Sequence, residues 1–510
     1  MKGFNRAIRS LRCPSGRTVA RPAEREQPRF IGASYNSRVD WSARARPMYL
    51  LYSLVLTLGM LLLSPWFLYQ ALRRRKYLGS AYRNQRFGFL PEELVPPGES
   101  SIWIHAVSVG EVLAVVPLAK RIKELFPDLR LLVSTTTLTG QEMAKARLGG
   151  LALPQGGADG FFYFPFDWPG PVRRALRRAK PKLVIIAETE IWPHFLREAS
   201  RAGIPVVFVN SRISDRSFGR YQKVKWFTRS VLAFPVAFLT QTEEDRRRLI
   251  ELGAPAEKVR VSGNLKYDLA EPPSTWLLEE LSQGMARHGR EPVLVAGSTM
   301  PGEEEIIGAA FAELQRRAPK ALWILAPRHP ERFDAVADWV FHRGWRLLRR
   351  SQMAYPDPAA AGPMDAATAA ENLDWPEVLL VDSMGELAGL YRLATVAFVG
   401  GSLVAQGGHN PLEPALFARP IVFGASMENF REMARALVRE GAAAVVTDAK
   451  ELENTLLALS ADEARRQRMG QAAREFVERH RGATERALGV IREILSLRPA
   501  ARRGATGVLR

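Results

Sequence analysis

The sequence is poor in the residues that build disulfide frameworks and metal sites. Its 510 residues include a single cysteine, Cys13, and seven histidines that form no cluster at ligand spacing. One cysteine excludes an internal disulfide framework and a cysteine-based zinc site. No Asp-X-Asp motif occurs in the chain. These absences agree with a reducing compartment and predict a protein that uses neither redox chemistry nor a bound metal.

Acidic residues are scarce at both ends of the chain, and this scarcity accounts for most of the formal net charge of +19. Residues 1–47 carry eleven Lys or Arg against three acids, and residues 498–510 carry four Arg and no acid. The body of the chain is much closer to balance. We therefore predict no nucleic-acid partner, and a non-enzymatic basic binder of membranes or nucleic acids is kept only as a third hypothesis.

No charged residue occurs from Met48 to Leu72, a run of 25 residues that as a helix could cross a bilayer. Aromatic residues near its end and the basic run Arg73–Lys76 favour a cytoplasmic flank. We predict a membrane anchor over 48–75, either spanning or lying in one leaflet. A cleaved signal peptide is the alternative, but no small-residue cleavage pattern follows. Residues 1–47 are either a disordered basic extension or lie upstream of a true start at Met48.

Beyond residue 76, short β-branched runs alternate with amphipathic helical stretches, the pattern of parallel α/β folding. One series of five runs occupies 76–275, and a second series of five occupies 290–490. The predicted fold class is α/β of the GT-B type, with two doubly wound Rossmann-like domains facing a cleft and an N-terminal membrane-anchor helix. Ligands of such sheets bind at the carboxyl ends of the strands, which here would face the cleft. Residues 351–372 are interpreted as a loop insertion and 491–510 as a basic tail.

The first motif is His-Ala-Val-Ser-Val-Gly-Glu, in which an apolar strand runs into the start of a helix at Glu111. Gly110 permits close approach of a ligand, and the positive end of the helix favours an ionised carboxylate. Glu111 could therefore accept a proton from a sugar hydroxyl. A plain preference for acids at helix starts explains the same residue without any catalysis.

The second motif is Ala-Glu-Thr-Glu-Ile-Trp-Pro, where an apolar strand ends in Glu188 and Glu190. Two acids buried together at the edge of a sheet would raise at least one carboxyl pKa, as paired carboxylates do in acid–base sites. Solvated loop acids are the equally simple alternative.

The third motif is a basic row that follows Asn-Ser-Arg-Ile-Ser. Arg212, Arg216 and Arg220 would share one face if the segment is helical, and such a row suits the phosphates of a lipid head group. A solvated helix face is the alternative. Lys266 follows another strand and by itself says little.

In the second predicted domain, polar residues follow several strands. Arg328 comes after the run that ends in Pro327, where it suits a phosphate or a carboxylate. A glycine loop later leads into the segment Asn410–Glu413. As structure, Asn410 would cap a helix with Glu413 as its reciprocal capping-box acid. As a binding site, the same helix start would offer free N–H groups to a nucleotide phosphate.

In order and spacing, these motifs resemble the Kdo (3-deoxy-D-manno-octulosonic acid) transferase family of lipopolysaccharide synthesis. The similarity runs from Met48 to about residue 490, and its markers are SVGE, AETEIWP, NSRIS, GNLKYD, APRHPERF, DSMGEL, FVGGSL and GGHNPLEP. The resemblance implies inverting transfer of Kdo from CMP-Kdo to a lipid A precursor of the lipid IVA type. No cofactor is expected, and an arginine and a helix start can stabilise departing CMP without a metal.

The resemblance also implies that the first domain, 76–275, binds the acceptor and that the second, 290–490, binds the CMP-sugar, and it implies roles for individual residues. Glu111 would be the general base, and Glu188 and Lys266 would support the transition state. CMP would be held by residues that match the nucleotide-binding motifs of the family, namely Pro327, Arg328, Met384, Gly385, Glu386, Asn410, Pro411, Leu412 and Glu413. The expected location is the bacterial inner (cytoplasmic) membrane, with the catalytic domains on the cytoplasmic side.

A different donor is the main alternative. A transferase or an epimerase that uses a UDP-sugar would keep the same fold and change the chemistry. An epimerase needs no membrane anchor, so the apolar run argues against that branch.

Overall fold

A computed structural model describes residues 45–73, 79–150, 157–353 and 375–497, and in the first of these ranges the side chains of 47–65 only. Most of the basic extension 1–47 and of the insertion 351–372 lies outside the described residues. So do the tail beyond residue 497 and the side chains of the basic run Arg73–Lys76. The predictions made for those segments stay predictions.

The first domain is built on a sheet of seven parallel strands. They are β1 (Ser101–His105), β2 (Arg130–Thr135), β3 (Gly160–Tyr163), β4 (Pro181–Ala187), β5 (Val206–Ser211), β6 (Ala237–Thr240) and β7 (Val259–Val261). Their spatial order is β3-β2-β1-β4-β5-β6-β7, so the order reverses between β1 and β4. β1 and β5 are buried along their whole length, as in parallel sheets covered by helices on both faces. A ligand crevice is therefore expected beyond the carboxyl ends of β1 and β4.

The second domain repeats this architecture with another seven-stranded parallel sheet. Its strands are β8 (Val293–Thr299), β9 (Leu322–Pro327), β10 (Leu347–Arg349), β11 (Val378–Leu380), β12 (Val396–Val399), β13 (Ile421–Gly424) and β14 (Ala443–Val446). The order is β10-β11-β9-β8-β12-β13-β14, and it reverses between β8 and β12. The loops after these two strands therefore line the crevice of the second sheet.

Helices cover both sheets. The described α-helices are α1 (Ala45–Arg73), α2 (Ser80–Arg86), α3 (Val109–Leu125), α4 (Leu138–Leu148), α5 (Pro169–Ala179), α6 (Pro193–Arg201), α7 (Asp215–Lys223), α8 (Lys225–Leu232), α9 (Glu243–Glu251), α10 (Trp276–His288), α11 (Glu303–Arg317), α12 (Phe333–His342), α13 (Leu387–Leu390), α14 (Leu412–Ala415), α15 (Arg431–Arg439), α16 (Ala449–Ala461), α17 (Glu463–His480) and α18 (Ala483–Ser496). Several begin where a side chain accepts a backbone N–H bond, as Ser108 does for α3 and Thr242 for α9. Short polar residues at strand ends thus set the starts of these helices.

The predicted fold class is confirmed by the two doubly wound sheets, and all ten predicted strands are present. The four strands that were not predicted are β3, β7, β10 and β14, which are the edges of the two sheets. They are three or four residues long, and β7 and β10 each contain an arginine. An edge strand has one neighbour and a partly exposed face, so it needs no long apolar run.

The last helix returns to the first domain. The apolar face of α18, including Leu488, Ile491 and Ile494, is buried in the core that contains α3. Asp268, at the end of the first domain, accepts hydrogen bonds from Gly482 N at 2.6 Å and from Thr484 N. Residues 491–496 therefore belong to a buried helix and not to the predicted tail 491–510. That helix packs on the first domain, although most of it was assigned to the second, 290–490. The apolar periodicity predicts a buried helix but does not say which sheet it covers.

Among the described helices, α1 alone is long and apolar enough to cross a membrane, over Pro47–Pro65. Only 6% of that window is buried, and Leu54, Leu58 and Leu62 are at least half exposed. A core helix of a soluble protein would have these leucines covered. Tyr49, near the start of α1, is buried in the core of the first domain.

Candidate active site

Glu111 lies in the first turn of α3, beyond the carboxyl end of β1. Its Oε2 atom accepts a hydrogen bond from Val107 N at 2.8 Å, and its Oε1 atom accepts one from the Ser108 hydroxyl at 2.9 Å. Ser108 in turn caps the helix by accepting from Glu111 N. The residue is 6% exposed. The carboxylate is therefore fixed in one orientation at the point where the strand order of the first sheet reverses.

The Glu111 carboxyl has a strongly perturbed pKa. Burial raises this pKa from 4.5 to about 7, and the charges of Glu188 and Glu190 act in the same direction. The bonds from Val107 N–H and from the Ser108 hydroxyl oppose the rise because they stabilise the carboxylate. A carboxyl that titrates near neutral pH is suited to accept a proton from a sugar hydroxyl.

The acidic loop, residues 188–192, joins β4 to α6. Glu188 has a φ of +53°, a left-handed conformation that is uncommon for a residue with a side chain. Its N–H donates to Val209 O at 2.9 Å, and Thr189 Oγ1 accepts from Arg212 N at 3.0 Å. Burial and the Glu188 charge raise the pKa of Glu190. The two predicted loop acids are thus part-buried and close enough to Glu111 to act on its charge.

Lys266 lies on a single 3₁₀ turn beyond β7, between the two domains. The Lys266 N–H donates to Asn264 Oδ1 at 2.9 Å, and the preceding N–H donates to Asn210 Oδ1 at 3.0 Å. The Lys266 ammonium is 5.9 Å from the centre of the Phe430 ring, which belongs to the second domain. Lys266 therefore presents its charge to the cleft.

A buried carboxylate holds the glycine–serine loop that follows β12. Glu303, at the start of α11, is fully buried and accepts from Gly401 N, Ser402 N and Leu403 N at 2.6, 2.9 and 2.9 Å. It also accepts from Met300 N at 2.9 Å. Burial raises the Glu303 pKa, while these four N–H groups stabilise the carboxylate. The loop is thereby fixed at the reversal point of the second sheet.

Arg328 follows β9, and its backbone N–H donates to Thr299 O at 3.0 Å. Burial raises the pKa of Glu413, and the Asn410 side chain and the charges of Arg147 and Arg328 oppose that rise. Arg147 belongs to α4 of the first domain. Cationic side chains from both domains therefore lie near one carboxylate in the cleft.

The segment Asn410–Glu413 forms a different cap from the predicted one. Asn410 Oδ1 accepts from Leu412 N at 3.1 Å, and Asn410 Nδ2 donates to Glu413 Oε1 at 3.5 Å instead of the two closing a capping box. α14 is a single turn that starts after Pro411. Aligned peptide dipoles sum over the length of a helix, so one turn contributes little to phosphate binding. The predicted capping box is therefore wrong, while phosphate binding at this segment stays a prediction.

The loop after β11 carries the predicted residues Met384, Gly385 and Glu386. Gly385 has a φ of +96°, which favours glycine, and Met384 is 62% exposed. Glu386 is engaged by Arg350, whose Nε donates to Glu386 Oε2 at 3.0 Å, and by the Ser383 hydroxyl. This loop therefore presents the methionine side chain rather than a free carboxylate.

The predicted arginine row is interrupted. Ser214 caps α7, so the helix begins at Asp215 and Arg212 precedes it. Arg216 and Arg220 lie one turn apart on α7 and are exposed. Arg212 instead pairs across the cleft, with its guanidinium 3.2 Å from Glu432 Oε1 of the second domain. The three residues therefore do not form the single helical face that was predicted.

Several residues of the site were not predicted. Asn210 is the penultimate residue of β5, has a φ of +56° and is 1% exposed, while Asn264, Glu303 and Arg147 hold or face the loops described above. For Asn210 the signal in the sequence is a polar residue that ends the apolar run of a strand. Glu303 and Arg147 carry no such signal, because their partners are distant in the sequence.

Comparison with known proteins shows the family of the chain. Residues 82–269 match the family described as 3-Deoxy-D-manno-octulosonic-acid transferase (kdotransferase). The chain is 36% identical over 412 residues to the 3-deoxy-D-manno-octulosonic acid transferase of Haemophilus influenzae, which covers 81% of this chain and 91% of that protein. The chain belongs to the Kdo transferase family. The predicted resemblance and the predicted enzyme class, a glycosyltransferase, are thereby confirmed.

Two further proteins are similar to this chain. The transferase is 35% identical over 415 residues to the 3-deoxy-D-manno-octulosonic acid transferase of Bordetella pertussis, covering 80% of this chain and 91% of that one. The chain is also similar to the C-terminal CMP-Kdo binding domain of WaaA from Acinetobacter baumannii, at 30% identity and a TM-score of 0.33, over 39% of this chain and 96% of that chain. Within the described residues, no group of three or more His, Cys, Asp or Glu side chains could hold a metal ion.

Proposed function

We propose that this transferase moves Kdo from CMP-Kdo to a lipid A precursor of the lipid IVA type. The observation that carries the proposal is the buried Glu111 carboxyl, whose pKa of about 7 fits a general base. In the proposed reaction, the acceptor hydroxyl oxygen bonds to the anomeric carbon of Kdo as the bond from that carbon to the CMP phosphate oxygen breaks. The hydroxyl proton passes to Glu111, and CMP leaves with the bonding electron pair.

A single in-line displacement of this kind inverts the anomeric carbon. Negative charge grows on the CMP phosphate as it departs, and the Arg328 guanidinium is proposed to stabilise it. Lys266 is assigned to the same transition state, because its ammonium faces the cleft beside Phe430. Glu188 is proposed to support the positive charge that develops on the sugar ring. We propose that these side chains act without a metal ion.

The remaining donor contacts are assigned to the second domain. Asn410 and Glu413 are proposed to hold the ribose, and the exposed Met384 side chain to pack on the base. The residues assigned to shaping these loops are Pro327, Gly385, Glu386, Pro411 and Leu412. On the acceptor side, Arg216 and Arg220 are proposed to meet lipid phosphates, because both are exposed on α7.

We propose that α1 attaches the transferase to the cytoplasmic leaflet of the inner membrane without crossing it. Tyr49 near the start of α1 is buried in the first domain, and α2 packs on the same domain through Arg86, which donates to Phe164 O at 2.5 Å. The connection from Arg73 to Gly79 reaches at most about 22 Å at roughly 3.6 Å per residue. The hydrocarbon core is about 30 Å thick. A crossing helix could not return over that distance, so this geometry supports a helix that lies in one leaflet.

Donor choice tests the proposal against its alternative. The purified transferase would be incubated with a lipid A precursor and either CMP-Kdo or a panel of UDP-sugars, and the lipid products separated by chromatography. We expect a product with CMP-Kdo alone. A product with a UDP-sugar, or epimerisation of that sugar without any acceptor, would replace the proposal by the alternative.

A further inference from the structure

A buried aspartate caps the helix that follows the acidic loop. Asp167 lies between β3 and α5 and is 4% exposed. Its Oδ1 atom accepts from Phe195 N at 2.7 Å, and its Oδ2 atom accepts from His194 N at 3.1 Å. These are free N–H groups of the first turn of α6, which a carboxylate is well placed to satisfy. The start of α6 is therefore held by a residue from another part of the chain.

The apolar helix completes this cap. The Tyr52 hydroxyl of α1 donates to Asp167 Oδ2 at 2.9 Å, and the Ser53 hydroxyl lies 2.8 Å from His194 Nε2. Close by, the Arg197 guanidinium lies 4.4 Å from the centre of the Tyr49 ring. One face of α1, from Tyr49 to Ser53, is therefore part of the catalytic domain, although Leu54, Leu58 and Leu62 are at least half exposed.

The cap lies directly beside the acidic loop. The loop ends at Trp192, and α6 begins at Pro193. Trp192 lies 5.4 Å from the ring of Phe164, which stacks at 3.9 Å on His105 at the end of β1. β4 fixes one end of the loop and the capped start of α6 fixes the other. A shift of α6 would therefore move the carboxylates that act on Glu111.

We propose that Tyr52 and Ser53 of α1 are positioning residues for the acidic loop, so that the apolar helix maintains the active-site geometry as well as attaching the enzyme to the membrane. The inference rests on the proposed function, because that function is what gives the acidic loop a part in Kdo transfer. Burial raises the pKa of Asp167 to about 7, and the bonds that it accepts, including that from Tyr52, oppose the rise. Loss of the Tyr52 donor therefore favours protonation of Asp167 near neutral pH and weakens its hold on α6.

Tyr52→Phe in the full-length protein removes the hydroxyl and keeps the ring. Its matched control is Thr57→Val, which removes an exposed hydroxyl of the same helix that bonds only to Ser53 O in the same turn. We expect amide hydrogen exchange in the peptide 188–196 of the Phe variant to quicken by about tenfold. We expect kcat with a deacylated, water-soluble acceptor to fall about 5- to 50-fold, with the KM for CMP-Kdo changed less than about twofold, as for loss of one buried hydrogen bond. Flotation with phospholipid vesicles should be unchanged, and the control should match the wild type.

A second, milder variant tests the inference if Tyr52→Phe fails to fold. Ser53→Ala should change exchange and kcat in the same direction by about two- to fivefold. Wild-type exchange and kcat in both variants would overturn the inference. So would a lower melting temperature with unchanged exchange in 188–196 and unchanged kcat, because that result describes a structural contact alone. If the wild type itself fails to transfer Kdo, the proposed function fails, while the exchange comparison still decides whether α1 positions the loop.

Discussion

Glu111→Gln removes the proposed general base with the smallest change in shape. The carboxylate accepts one bond from Val107 N and one from the Ser108 hydroxyl, at 2.8 and 2.9 Å. Glutamine keeps one acceptor oxygen, which can face Val107 N–H, and its amide can donate to Ser108 Oγ once that hydroxyl turns away. The fold is therefore expected to survive, while the side chain can no longer take a proton.

The size of the effect follows from the environment of the carboxyl. A rise in pKa from 4.5 to about 7 corresponds to roughly 3 kcal/mol of added proton affinity, which makes Glu111 a much stronger base than an exposed glutamate. Loss of a positioned base lowers turnover by about 10²- to 10⁴-fold. We expect kcat of the Gln variant to fall within that range, with the affinity for CMP unchanged because the nucleotide is assigned to the other domain.

The assay is initial-rate Kdo transfer from pH 5.5 to 8.5 with a lipid A precursor in detergent. The base acts when it is deprotonated, so wild-type kcat/KM should fall about tenfold per pH unit below about 7 and level off above it. The Gln variant should be slow and lack this acidic limb. Turnover within about threefold of the wild type, or an unchanged acidic limb in the variant, would refute the assignment of Glu111.

Other predictions test the second domain and the cleft. Arg328→Ala should weaken CMP binding by about tenfold or more in titration calorimetry, because a charge-assisted phosphate contact is lost; an unchanged affinity would count against the donor site. Lys266→Met should lower kcat by about 10- to 1,000-fold with little change in KM, as expected for a cation that acts on the transition state, and the reverse pattern would assign Lys266 to ground-state binding. Glu303→Gln places an amide donor against backbone N–H groups. The variant should therefore be less stable by about 2–4 kcal/mol and bind CMP more weakly. A wild-type melting curve would show that this carboxylate does not hold the loop.

The central strands could be predicted from the sequence because each is a nearly continuous apolar run that is buried on both faces, as in β1 and β5. The edge strands could not, because β7 and β10 are three residues long and carry an arginine. The last helix has a clear apolar face, but its partner is a core built about 370 residues earlier around α3. Local patterns predict burial and do not specify the partner.

The same reasoning separates the predicted parts of the site from the rest. Glu188 directly follows β4, and Glu111 lies in the first turn of the helix after β1, so both are at the strand ends where the fold brings polar residues together. Spacing alone predicted Arg212 on a helix. In the structure Ser214 caps α7, so the helix begins at Asp215 and Arg212 precedes it. Contacts such as Tyr52 with Asp167, 115 residues apart, and Glu303 with Gly401, 98 residues apart, arise only when the chain is folded.

The central claim is Kdo transfer from CMP-Kdo to a lipid A precursor by side chains alone. Its most direct test is to incubate the detergent-solubilised transferase with CMP-Kdo and a tetraacylated lipid A precursor in the presence of EDTA, and to analyse the lipid by mass spectrometry. The account predicts a mass gain of one or more Kdo units for the wild type and almost none for Glu111→Gln. No gain from folded wild-type protein would contradict the account, and a gain that appears only when Mg²⁺ replaces EDTA would contradict its metal independence.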